Sequence, residues 1–308
     1  MFDIVVLFFL FGVIAGLVRS ELKLPSALYE TLSLFLLLAI GLKGGVGLSQ
    51  QPLLSLLPQL VLVILLGVLQ TVICFAVLRL KMKQIDAAAT AAHYGSVSVA
   101  TFAVGVNWLT ARSIAFESQL SIFLAVMEIP AILVGIILAR RRSRQTNWGA
   151  LAHETLLGKG VTLLLGGMLI GYLAGPAGVE PLNPLFVDLF KGALALFLLE
   201  MGLIVARQCQ SLRQHGLFLL IFALLMPPIS ALLGIATANI MGLSLGGTTL
   251  LATLAASASY IAVPATLRIA LPEANPGLSL SAVLGVTFPF NIIIGIPLYY
   301  EWARYIME

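Results

Sequence analysis

The stretch from Ala87 to Leu109 reads AAATAAHYGSVSVATFAVGVNWL, and the stretch from Leu250 to Leu271 reads LLATLAASASYIAVPATLRIAL. Each is long enough to cross a bilayer. Each is also interrupted near its middle by small polar residues, glycine or proline. A plain membrane anchor has no use for such an interruption, whereas unwound backbone at the bilayer midplane can hold an ion or a polar solute. The two stretches therefore predict a pair of discontinuous transmembrane helices.

The surrounding chain supports a membrane setting. Of its 308 residues, 60% are hydrophobic and 10% charged, against about 25% charged in a soluble domain. The mean hydropathy is +1.07. Apolar runs recur at 3–18, 26–48, 53–78, 86–109, 117–139, 156–174, 184–206, 214–239, 243–270 and 278–304, which reads as ten transmembrane helices. Strands of alternating polarity are absent, so a membrane β-barrel is excluded. The segment from Met1 to Val18 lacks a basic leader and carries Asp3, so it reads as a membrane helix rather than a cleaved signal. Cys74 and Cys209 have no metal-ligand or disulfide spacing and read as small buried thiols.

Ten crossings put both termini on one side. Thirteen of the 17 Lys and Arg residues follow odd-numbered segments, and the positive-inside rule then places both termini outside the inner membrane. The other face holds Lys43, Arg112, Lys191 and Arg304. Lys43 is expected to snorkel to the surface. The basic residues sit in short loops, where they report orientation, so nucleic acid is not an expected partner; membrane lipid is.

The two halves resemble each other. LFLLLAIGL from Leu34 matches LFLLEMGL from Leu196; Ala91–Thr101 matches Ala255–Thr266; EIPAILVGIIL from Glu128 matches FPFNIIIGIPL from Phe288. The offsets are 161 for Gly41 and Gly202, 165 for Thr101 and Thr266, and 159 for Pro130 and Pro289. Five helices per repeat force the second repeat to enter from the opposite side, so the repeats are inverted and segments four and nine are the broken ones. The expected organisation is residues 1–139 as the first repeat, 140–159 as a cytoplasmic basic linker and 160–308 as the second repeat. Within the linker, residues 147–157 could form an interfacial helix with Trp148 at headgroup depth. His153 and His215 read as solvated surface residues.

In the first break, Gly95 permits helix-breaking backbone angles, and Ser96, Ser98 and Thr101 offer hydroxyls. In the second, Ser257 and Ser259 precede Tyr260, and Pro264 falls in the first turn of a restarted helix. The half-helix N-termini favour an anion and the C-terminal carbonyls a cation. Crossing the two breaks gives one site for a small anion beside a small cation, lined by Gly95, Ser96, Ser98, Thr101, Ser257, Ser259 and Tyr260. Glu128, mid-segment in helix five, is an intramembrane carboxylate and a candidate cation ligand or proton carrier. Thr287 and Asn291 in the matching region offer oxygen to sodium. His93 reads as a packing residue, and Glu200 as either ion-paired or solvated near the cytoplasmic end. No hydrolase triad, phosphate loop or zinc motif is present. No enzyme activity and no cofactor are expected, sodium serving as coupling ion.

On IGLKGG (Ile40–Gly45), GSVSVAT (Gly95–Thr101), EIPA (Glu128–Ala131) and AASASYIAVPATLRIALPEANP (Ala255–Pro276), the sequence resembles the sodium-dependent bicarbonate transporter family, the SbtA type known from cyanobacteria. The resemblance runs from about Pro25 to Ile296. It implies ten helices in two inverted repeats, a core domain holding the crossed broken helices, a gate domain, a homotrimer, and sodium-coupled bicarbonate uptake. It also brings a cytoplasmic PII-like regulator as a partner. The chain departs from the cyanobacterial pattern in three places. Tyr260 replaces an acidic residue, with Ala258, Ala262 and Val263 where serine and glycine are more common. Glu128 replaces Asp. The basic linker replaces a longer insertion. Two other readings stay open: a proton-coupled carrier of another small anion such as a monocarboxylate, with Glu128 carrying the proton, and a membrane anion sensor that does not transport.

Overall fold

In the computed structural model, residues 3–50, 56–139, 153, 157–212 and 216–308 are described. Most of the basic linker, Trp148, His215 and the expected interfacial helix lie outside them. The described residues are helical, without strands. The helices are α1 (Ile4–Leu17), α2 (Ser26–Leu48), α3 (Leu57–Leu78), α4 (Gln84–Gly95), α5 (Val99–Thr110), α6 (Leu120–Ala139), α7 (Lys159–Val179), α8 (Phe190–Leu212), α9 (Leu217–Met241), α10 (Leu245–Ala256), α11 (Ala262–Ala270) and α12 (Pro276–Met307). Seven of them, α2, α3, α6, α7, α8, α9 and α12, are long and apolar enough to cross a membrane.

The helices sort into two sets by packing. In one, α1 lies along α8 and α2 along α7. Glycine sets the spacing: a methyl at Gly202 would lie 2.7 Å from the Val13 nitrogen, and one at Gly45 would lie 2.8 Å from the Met168 Cα. Between membrane helices, where hydrophobic burial supplies little drive, such close backbone approach is a main source of attraction. In the other set, α3, α4 and α6 pack on one another, α10 packs between α9 and α12, and α5 meets α10.

Prolines deform the second set. Pro227 and Pro228 sit inside α9, and Pro130 inside α6. α12 has π-helical turns at Val283–Thr287 and Asn291–Gly295, on either side of Phe288–Phe290. Each proline removes an N–H and orphans the carbonyl four residues earlier, and in a bilayer that carbonyl must find a partner inside the protein.

Both interrupted stretches are broken helices. The first break is Ser96–Ser98 and the second Ser257–Ile261. Both begin Ser-X-Ser. The second is two residues longer, so an offset of 161 at the start of the break becomes 163 where the helix restarts. The cause of the first break differs from the expectation. Gly95 does not have positive φ. It is needed because α3 passes so closely: a Cβ there would collide with Thr71 Oγ1 and lie 3.1 Å from the Gly67 carbonyl oxygen.

Candidate functional site

The two breaks are tied directly to each other. Ser98 N donates to Ser257 Oγ at 2.9 Å. Ser259 N donates to the His93 carbonyl at 2.9 Å, and the His93 ring Nδ1 donates to the Ser259 carbonyl at 2.6 Å. His93 thus grips Ser259 from both sides, which fixes the proton on Nδ1. The hydroxyls also shape their own helix ends. Ser98 caps α5, accepting from Thr101 N at 3.2 Å and from Thr101 Oγ1 at 3.0 Å. Ser257 Oγ donates to the Leu254 carbonyl at 2.7 Å, closing α10. Ser259 Oγ accepts a long contact from Val263 N at 3.4 Å. Ser96 Oγ is buried and has no hydrogen-bond partner among the described residues.

A cavity of about 290 Å³ opens beside these breaks, lined by residues that include Ser98, Glu128, Ser259, Tyr260, Thr266 and Lys159. It brings together seven elements: both breaks, α2, α5, α6, α7 and α11. Glu128 is 8% exposed and makes no ion pair or hydrogen bond with a described residue. Tyr260 lies beside Ser98, its ring edge-on to Phe288 with centroids 5.5 Å apart. The opening residues of α5 and α11, Val99 and Ala262, also line the cavity.

Thr287 and Asn291 are placed differently. Neither lines this cavity. Thr287 Oγ1 donates to the Ala223 carbonyl at 2.7 Å and accepts from Tyr94 OH at 2.7 Å. Ala223 is the residue four before Pro227, so Thr287 satisfies the carbonyl that this proline orphans. Asn291 Nδ2 donates to the Ala256 carbonyl at 2.9 Å, at the broken end of α10, and its Oδ1 accepts from Tyr299 OH at 2.6 Å. Both side chains are committed to repairing interrupted helices. A Thr287→Val variant is therefore expected to lose about 1–3 kcal/mol of stability, seen as a lower unfolding temperature in detergent, with the sodium dependence of any uptake unchanged. A Thr287→Val protein of parental stability with a weakened sodium response would make the threonine a ligand instead.

Three residues gain a role that their sequence context did not suggest. His93 is the link between the breaks rather than mere packing. Gln70, fully buried, donates Nε2 to the Ala255 carbonyl at 2.9 Å and so helps close α10; a lone amide in an apolar helix is its signal in the sequence. Lys43 is exposed and lines a second cavity, of about 580 Å³. Glu200 is buried, with the Leu24 backbone and Arg207 as its electrostatic neighbours.

A multi-pass helical membrane protein whose two broken helices are tied together beside a cavity has the build of a membrane transport protein. The chain belongs to the Na+-dependent bicarbonate transporter superfamily, whose family model matches residues 4–304. That superfamily comprises transporters, not enzymes. No curated protein matches the chain.

Proposed function

We propose that the protein is a secondary active transporter that carries bicarbonate, or a closely similar small anion, inward across the inner membrane together with sodium. The observation that carries this reading is the meeting of the two breaks beside a cavity that also holds Glu128. The N–H groups opening α5 and α11 suit an anion, with Ser96, Ser98, Thr101, Ser257, Ser259, Tyr260 and the backbone at Gly95 forming and shaping its surroundings. Glu128 suits the cation. Thr287 and Asn291 act on this reading as braces. Bringing one negative charge into a negative-inside cell costs about 2.3 kcal/mol per 100 mV; a co-transported sodium cancels that charge and adds its own gradient.

The reading includes ten crossings in two inverted five-helix repeats, residues 1–139 and 160–308, with both termini outside. Reciprocal contacts support it. On segments numbered one to ten, segment one pairs with seven and segment two with six, as a two-fold axis requires. Asp86, opening segment four, accepts from Asn275 N at the start of segment ten at 2.9 Å. Glu117, opening segment five, accepts from Ser244 N at the start of segment nine at 2.6 Å. A homotrimer and a cytoplasmic PII-like regulator meeting the linker 140–159 follow from the family resemblance.

The test is uptake of labelled bicarbonate into proteoliposomes with and without an inward sodium gradient. Uptake is expected to require sodium. Uptake indifferent to sodium but driven by an inward proton gradient would instead assign Glu128 to protons, and binding without uptake would make the protein a sensor.

A further inference from the structure

We propose that the second cavity is an anion-gathering vestibule in which Lys43 and Lys191 concentrate a small oxyanion before it reaches the broken helices. The cavity lies between α2, α5, the start of α6 and the start of α8. Besides the two lysines its polar lining is Asn107, Thr110, Ser118 and Ser121, and no Asp or Glu is among the lining residues.

The charge placement needs a reason. On the proposed topology the outer face and the helices near it carry four of the 17 Lys and Arg residues, and two of those four line this single cavity. Lys43 makes no ion pair with a described residue. Lys191 Nζ stands 3.9 Å from Asp3 Oδ1, with the lysine side chain 49% exposed. That carboxylate, 7% exposed, also accepts from Val5 N and Asn107 Nδ2, each at 3.1 Å, so it is shared among three donors and offsets the Lys191 charge only in part. The lysines therefore leave a positive potential in an apolar-walled cleft, the arrangement that raises the local concentration of an oppositely charged solute. Lysine suits transient capture: it is a compact hydrated charge on a flexible stem, without the planar fork by which arginine holds an oxyanion.

The path onward is along α5. Phe102, Val106, Asn107 and Thr110 of that helix face the vestibule, whereas Ser98 at its other end faces the Glu128 cavity. On α5 the two linings approach most nearly at Val99 and Phe102, about 4.5 Å apart along the helix axis, and the cavities share no lining residue. The Glu128 cavity adjoins the break that opens α5, and the vestibule runs from Phe102 to the far end of that helix.

The proposal rests on the anion-transport reading but is tested apart from transport. Thr110→Cys, and independently Ala111→Cys, are introduced into the full chain and labelled with an anionic and a cationic methanethiosulfonate of similar size. The parent is labelled in parallel to subtract Cys74 and Cys209. At low ionic strength the anionic reagent is expected to react about tenfold faster relative to the cationic one. The preference should shrink toward unity when Lys43→Gln and Lys191→Gln are added, and also at 1 M salt. In uptake, the double lysine variant should raise the KM for the anion about tenfold at an unchanged maximal rate. No charge preference at either cysteine overturns the vestibule, whether or not the protein moves bicarbonate. A lysine-dependent preference with an unchanged KM overturns its role in gathering substrate. Absence of bicarbonate uptake in the parent, with the labelling preference intact, sinks the transport reading and leaves the anion-attracting cavity standing.

Discussion

Glu128→Gln is expected to lower the initial rate of sodium-driven bicarbonate uptake by about a hundredfold or more. The carboxylate lies in α6, is 8% exposed, and shares its cavity with Ser98 and Ser259 of the two breaks. No described residue neutralises it. A carboxylate set this deep in a membrane protein without a partner is costly, and a cation arriving with the substrate removes that cost. Replacing one member of a buried charge pair costs about 2–5 kcal/mol, and at about 1.4 kcal/mol per tenfold a hundredfold loss falls in the lower half of that range. Gln keeps the shape and removes the charge, so expression and unfolding temperature should stay near those of the parent. Glu128→Asp keeps the charge on a shorter stem and should retain part of the uptake. Full sodium-driven uptake by Glu128→Gln would take this carboxylate out of the transport cycle.

His93→Ala is expected to abolish uptake and to lower the unfolding temperature by roughly 5 °C or more. The ring donates to the Ser259 carbonyl at 2.6 Å, and the His93 carbonyl accepts from Ser259 N at 2.9 Å. Truncation leaves a buried carbonyl without its donor, at about 1–3 kcal/mol, and opens a void where an imidazole was packed. The loss for function is positional: Ser259 and the start of α11 would no longer be held against the first break. His93→Asn separates positioning from proton transfer. Its amide can donate from near the Nδ1 position yet does not titrate, so recovery of uptake identifies a positioning residue, and stability recovered without uptake would point to a proton relay.

The architecture was legible because it is written in long stretches. Apolar runs near the thickness of a bilayer reveal membrane helices without any knowledge of their neighbours. A Ser-Val-Ser or Ser-Ala-Ser within such a run reveals where it breaks, because a lipid-embedded helix has no other use for clustered hydroxyls and a nearby glycine or proline. Glu128 stood out for the same reason, as a charge in the wrong solvent. The site was legible only in part. Ser98, Ser259 and Tyr260 line the cavity, whereas Ser257 reaches the first break through Ser98 N, and Ser96 stays buried with no hydrogen-bond partner among the described residues. At Gly95 the nearness of Thr71 and Gly67 on another helix demands glycine, not its own backbone angle, and that nearness leaves no trace in the sequence.

The sequence by itself determined the membrane setting, the helix breaks and the intramembrane carboxylate, since each depends on local composition measured against lipid. Only the tertiary structure decided what the remaining polar groups do. Thr287 and Asn291 resemble sodium ligands in the sequence, yet fold onto carbonyls orphaned by Pro227 and by the end of α10. Lys43 stands alone in its helix in the sequence, and the fold sets it in one cavity with Lys191, 148 positions later. A polar side chain in a membrane bundle takes whichever partner the packing presents, and partners this far apart in the chain are joined only when the helices meet.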